Sequence, residues 1–136
     1  MRDTRQRQAI RTVFDNIDRP LGPKEVLIEA SREVPNLGIA TVYRNIKTMV
    51  DQGELITVEL PGQPSRYSLP KHRKEYLFLC EKSDRAFFIE RDAIEFDVTN
   101  LPQNFTVSGH AVVLYGEYRE EGSFSHTTAP FALRVS

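Results

Sequence analysis

A chain of 136 residues, 40% hydrophobic and 27% charged, can bury one good core or two small ones, and its balance excludes a disordered tail. No apolar run approaches the roughly 18 residues a membrane span needs, and the charged start MRDTRQRQAI does not turn hydrophobic as a secretory leader would, so the expected location is the cytoplasm. The net charge of −1 is unevenly divided, residues 1–70 holding ten Lys and Arg against nine Asp and Glu and residues 71–136 eight against ten, while a single cysteine, Cys80, excludes an internal disulfide.

Four of the front-half cations, Arg2, Arg5, Arg7 and Arg11, fall within eleven residues, opposed only by Asp3. Such clustering can follow a phosphate backbone or form a solvated helix face. The first predicted helix runs from Thr4 to about Ile17, with Ile10, Val13, Phe14 and Ile17 at helical spacing and Asp3 or Thr4 as cap. RPLGPKEVLIEA restarts the chain, Pro23 opening a second short helix that ends before Pro35. A third helix follows NLG and spans IATVYRNIKTMVDQG, its apolar stripe being Ile39, Val42, Ile46, Met49 and Val50, with Gly53 at the left-handed cap. Thr41, Tyr43, Arg44, Asn45, Lys47 and Thr48 lie largely off that stripe. LITVELPGQPSRYSL then reads as a hairpin with a turn of four or five residues around Pro61-Gly62-Gln63-Pro64. Three helices and a hairpin are the order of a winged helix-turn-helix, whose last helix enters the major groove.

Beyond Leu69 the texture becomes that of strands. EYLFLC and RAFFIE are β-type runs, DAIEFDVTNL is assigned a short helix, and FTVSGHAVVLYGEYR alternates like a strand with a kink at Gly109. The expected organisation is α+β: residues 1–70 a winged-helix DNA-binding domain, 71–122 a small α/β dimerisation domain, and 123–136 an irregular tail. Phe78, Phe87, Phe88, Val112 and Leu114 are the apolar residues on which a homodimer would rest.

IATVYRNI, with TRQRQAI, GPKEV, PSRYSL and FTVSGHAVVLYG in the same order, resembles the ferric uptake regulator family of bacterial metal- and peroxide-responsive repressors, over roughly residues 2–118. The resemblance implies an N-terminal winged helix on an AT-rich inverted repeat of double-stranded DNA, a dimerising and metal-sensing C-terminal domain, and a cytoplasmic, nucleoid-associated protein. On the matching positions, Tyr43 and Arg44 would meet the bases, which suits a ring that can lie on a thymine methyl and a guanidinium that can grip guanine. Arg2 would enter the narrow minor groove, and Arg7, Thr41 and Lys47 or Arg66 would hold phosphates. Gly38 stands where the family has a capping serine, a substitution the helix tolerates.

The same resemblance implies metal sites, and the ligands do not match. The four thiolate positions of a structural zinc read Cys80, Ser83, Tyr118 and Ser123, so that zinc is expected to be absent. The sensing-site positions read Pro20, Ser68, Glu75, Leu77 and Phe88. A further site keeps Glu95 and His110 but has Lys74 and Tyr76 at its other positions, leaving at most a weak divalent-metal site. His72, Glu75 or Asp97 could complete it in the folded chain, whereas Arg73 and Lys74 oppose a cation. His126 has no partner in this reading. No nucleophile with a matching base, phosphate loop or catalytic carboxylate pair argues for an enzyme. The expected function is a homodimeric DNA-binding regulator with metal sensing lost or reduced, against a regulator using a minimal Glu95–His110 site and a non-DNA interaction module on the same fold.

Overall fold

The computed structural model describes residues 4–119, so Arg2, Ser123, His126 and the expected tail lie outside the described residues. The chain divides into two compact units between Arg73 and Lys74. In the first, α1 (Thr4–Asn16), α2 (Pro23–Ala30) and α3 (Ile39–Asp51) precede the antiparallel pair β1 (Ile56–Val58) and β2 (Arg66–Ser68). Ala9, Ile10, Val13 and Phe14 of α1, Val26 and Ala30 of α2, and Val42, Ile46 and Met49 of α3 converge in one buried cluster. Their spacing by three and four residues is what turns each helix to a common core. Two backbone hydrogen bonds between Leu21 and Tyr67 fasten the α1–α2 connection to β2 as a one-residue bridge.

The punctuation follows the backbone chemistry of the residues that supply it. Gly53 at φ 80° ends α3: its amide bonds the Val50 carbonyl, and the next amide, of Glu54, reaches back to Met49. That pair of bonds is the Schellman arrangement, which requires a left-handed residue. In the hairpin, Pro61 and Gly62 at φ 74° occupy the middle of a turn closed by Gln63 N–H to Leu60 C=O at 3.0 Å, the geometry of a type II turn. The β1–β2 ladder stops at Val58 opposite Arg66, so the whole connection is longer than the expected turn, because Leu60 folds inward and is buried.

The second unit is a three-stranded sheet in the order β4-β3-β5, in which β3 (Tyr76–Cys80) pairs antiparallel with β4 (Ala86–Ile89) and parallel with β5 (Val113–Gly116). Asp84 takes φ 64° in the β3–β4 turn, a conformation aspartate tolerates. Two expectations fail here. DAIEFDVTNL forms only a three-residue 3-10 turn, Arg91–Ala93, because the Asp97 carboxylate accepts from both the amide (2.9 Å) and the hydroxyl (2.6 Å) of Thr99, a local turn that competes with helix. Those bonds also hold the Asp97 carboxyl below its ordinary pKa. The long alternation of FTVSGHAVVLYGEYR yields four strand residues, since β3 offers only Leu77 to Cys80 as partners.

Of the residues expected at the dimer, Phe78 is buried within its own unit, while Phe87, Phe88, Val112 and Leu114 are half-buried. Phe78 is buried in this unit's own core with Tyr76, Cys80 and Ile89, and Phe87, Val112 and Leu114 pack against it. The large apolar side chains exposed instead are Phe96, Val98, Leu101, Phe105, Val107 and Tyr115.

Candidate nucleic-acid interface

α3 sorts its residues by face. With Val42, Asn45, Ile46 and Met49 buried, the helical period turns Tyr43, Arg44 and Lys47 outward, and Tyr43 is 53% exposed. A side chain that large is left in water only where packing does not need it, so Tyr43 is not a core aromatic. The Arg44 guanidinium donates to Thr41 Oγ1 at 3.2 Å, and the Thr48 hydroxyl donates to the Arg44 carbonyl at 3.0 Å, so this face carries its own polar lattice. Lys47 Nζ lies 3.8 Å from Asp51 in an exposed pair of little energetic weight, and is open to an anion.

Beside this face lies a groove of about 640 Å³ between α3 and the hairpin, lined by Tyr43, Arg44, Lys47, Asp51, Thr57 and Tyr67 among others. Thr57 and Tyr67 are cross-strand partners. Burial first, then the neighbouring phenol of Tyr43 and the Glu59 carboxylate, raise the Tyr67 pKa, which keeps its hydroxyl protonated and able to donate.

The arginines of α1 are largely committed inside the unit. Arg5 donates to the Glu33 carbonyl at 3.2 Å, Arg11 pairs with Glu54, and Arg7 Nε donates to Asn45 Oδ1 at 3.2 Å. Asn45 in turn donates to the Thr41 carbonyl at 2.9 Å. Asn45, expected off the apolar stripe, is instead buried, because its amide is used on both sides and ties Arg7 to α3. At Arg7, expected on a phosphate, this bond engages Nε. Arg66 departs further: it is 8% exposed and donates to Gln63 Oε1 across the hairpin turn, so its guanidinium is turned into the hairpin and away from solvent.

In the second unit three of the positions expected to carry the structural zinc lie together. Cys80, Ser83 and Tyr118 meet around one sulfur, which accepts from the Tyr118 amide at 3.5 Å. The Ser83 hydroxyl, with the amides of Tyr118, Ser83 and Lys82, lowers the Cys80 pKa to about 7. One sulfur, a serine hydroxyl and a phenol, whose ring stacks on Phe87 at 4.4 Å, do not suit a tetrahedral thiolate site. Cys80→Ser keeps an acceptor among those donors and is expected to cost no more than about 1 kcal/mol in urea unfolding with DNA affinity unchanged; dissociation of the dimer would contradict this placement. Among the described residues no group of three His, Cys, Asp or Glu side chains could hold a metal ion. Glu95 is exposed, His110 is hydrogen-bonded to Tyr76, and His72 belongs to the first unit, 2.6 Å from Asp18.

The family model described as Ferric uptake regulator family matches residues 1–115. The chain is 29% identical over 130 residues to the peroxide-responsive repressor PerR of Staphylococcus epidermidis, covering 90% of this chain and 85% of the relative. It is 26% identical over 113 residues to a ferric uptake regulation protein of the same species, covering 83% and 81%. Among solved structures, a zinc-bound manganese uptake regulator superposes with TM-score 0.66 at 18% identity, over 84% of this chain and 88% of that one. An iron-bound ferric uptake regulator from Francisella tularensis gives TM-score 0.60 at 19% identity, over 83% and 88%. These likenesses show the expected fold, an N-terminal winged helix followed by a small α+β unit.

Proposed function

The chain belongs to the ferric uptake regulator family of transcriptional regulators, and on that premise we propose that it is a homodimeric repressor that grips an AT-rich inverted repeat without a sensing metal. The carrying observation is the outward row of Tyr43, Arg44 and Lys47 on α3, beside a hairpin that completes the winged helix. In this reading Tyr43 and Arg44 read base edges, Lys47 and Thr41 hold phosphates, and Arg2 reaches the minor groove. Arg7 and Arg66 position α3 and the hairpin. Two such helices, one from each protomer, would enter major grooves about one DNA turn or a small multiple apart. The exposed apolar residues from Phe96 to Val107, with Tyr115, are where the protomers would meet. No described helix is long and apolar enough to cross a membrane.

Metal independence is supported by the donor set. The residues at the family's ligand positions are mostly neutral or cationic, and a divalent ion needs several oxygen, imidazole or thiolate donors at once.

Arg44→Ala is expected to weaken binding to the selected operator by about 1–3 kcal/mol and to relax base preference at one position in each half-site. The check is competition between operator and scrambled duplex at fixed salt. Unchanged discrimination would remove Arg44 from base reading.

A further inference from the structure

We propose that the Tyr76 hydroxyl is the resident partner of His110, fastening the irregular segment 94–112 to the sheet and withholding Nε2 of the imidazole from divalent cations. This rests on the metal-independent reading above and deepens it.

Between Ala93 and Val113 the chain forms no helix and no strand, and most of its side chains are exposed. Such a stretch has few backbone bonds of its own and needs side-chain anchors to be held. The anchors are one cluster. Tyr76, buried at the start of β3, places its hydroxyl 2.5 Å from His110 Nε2. The Phe96 ring stands edge-on to Tyr76 at 5.9 Å and tilts against His110 at 4.8 Å. Both ends of the segment, Phe96 near its start and His110 near its finish, therefore close on a single strand residue.

The Tyr76 ring also carries a cation. The Arg91 guanidinium lies 5.1 Å from the Tyr76 ring centroid and donates to the Lys74 carbonyl at 2.8 Å. A divalent ion drawn to His110 Nε2 would have to displace the Tyr76 hydroxyl, whose ring already carries the Arg91 charge. Glu95 alone offsets neither cost, since one carboxylate and one imidazole make a weak site. The cluster thus supplies from side chains the cross-link that an ion between donors would otherwise supply, and Tyr76 is a positioning residue within it.

The test is a zinc titration of the intact dimer, followed through the imidazole nitrogen signals of His110 in wild type and in Tyr76→Phe, which keeps the ring and deletes only the hydroxyl. In wild type the Nε2 signal is expected to show a hydrogen-bonded nitrogen and to stay in place at stoichiometric zinc. In Tyr76→Phe it is expected to move before any metal is added and to respond at about threefold to tenfold less zinc, the range that follows from losing one such bond. A wild-type Nε2 that takes up zinc at stoichiometry, or variant and wild type that respond alike, would overturn the proposal. Should Tyr76→Phe fail to fold, the wild-type spectrum and titration decide alone. Operator affinity measured on the same samples separates this proposal from the function: chelator-sensitive DNA binding with His110 still on Tyr76 would sink metal independence and leave the clamp standing, while zinc uptake with unchanged DNA binding would do the reverse.

Discussion

Between about 50 and 200 mM salt, the affinity of the dimer for its operator is expected to fall by roughly 10³, with a slope of log K on log salt near −5. The size of this effect follows from which cations are available. Of the basic residues in α1, Arg5, Arg7 and Arg11 are held by Glu33, Asn45 and Glu54, so they add little to the count of phosphates. Arg44 in the major groove, Lys47 on the backbone and the Arg2 proposed for the minor groove give about six cations on the DNA for two protomers, each displacing close to one counterion. A chain whose whole N-terminal cluster faced the backbone would give a steeper slope. Fluorescence anisotropy across a salt series measures it, and an affinity almost flat in salt would turn the reading toward a module that binds something other than DNA.

Phe14→Ala is expected to destabilise the first unit by about 3–5 kcal/mol, enough to lower its melting temperature by more than about 10 °C and to abolish operator binding at 37 °C. Phe14 is 1% exposed and packs in the cluster where all three helices meet. Removing its ring takes away apolar contact and leaves a cavity that short helices joined by tight turns cannot close without losing their own packing. Against a total stability of roughly 5–15 kcal/mol that is a large share. The second unit has a separate core, so its transition should stay where it is in a circular dichroism melt. A loss under about 1 kcal/mol would mean the site collapses readily and the helices are not fixed by this core.

What the sequence made legible was what local chemistry decides. The α3 stripe from Val42 to Met49, the glycine at its end and the Pro-Gly turn each have a backbone or burial requirement that residue type announces, and they stand where the pattern put them, whereas Ile39, read into the same stripe, is exposed in the first turn. The outward pose of Tyr43 followed from the same helical period. Residues whose roles depend on distant partners were less legible. Nothing in the first eleven residues says that Arg7 meets Asn45, 38 positions away, or that Arg66 folds back on Gln63. In the second unit, alternation suggested a long strand, but a strand needs a partner of matching length and β3 is only five residues long. Of the apolar residues expected at the dimer, Phe78 lies in its own unit's core, because periodicity alone does not tell a small domain's core from its interface. Tyr76 and His110 were visible individually, one as a lost ligand position and the other as a retained one; their union required the fold.

The central claim is that the outward face of α3 works without an ion in the second unit. It is tested most directly by elemental analysis of the purified dimer, coupled to operator binding before and after exhaustive chelation. The account predicts no stoichiometric zinc, iron or manganese and the same affinity in both samples. One or two tightly held ions per chain, with operator binding lost when they are stripped and restored when they return, would contradict it.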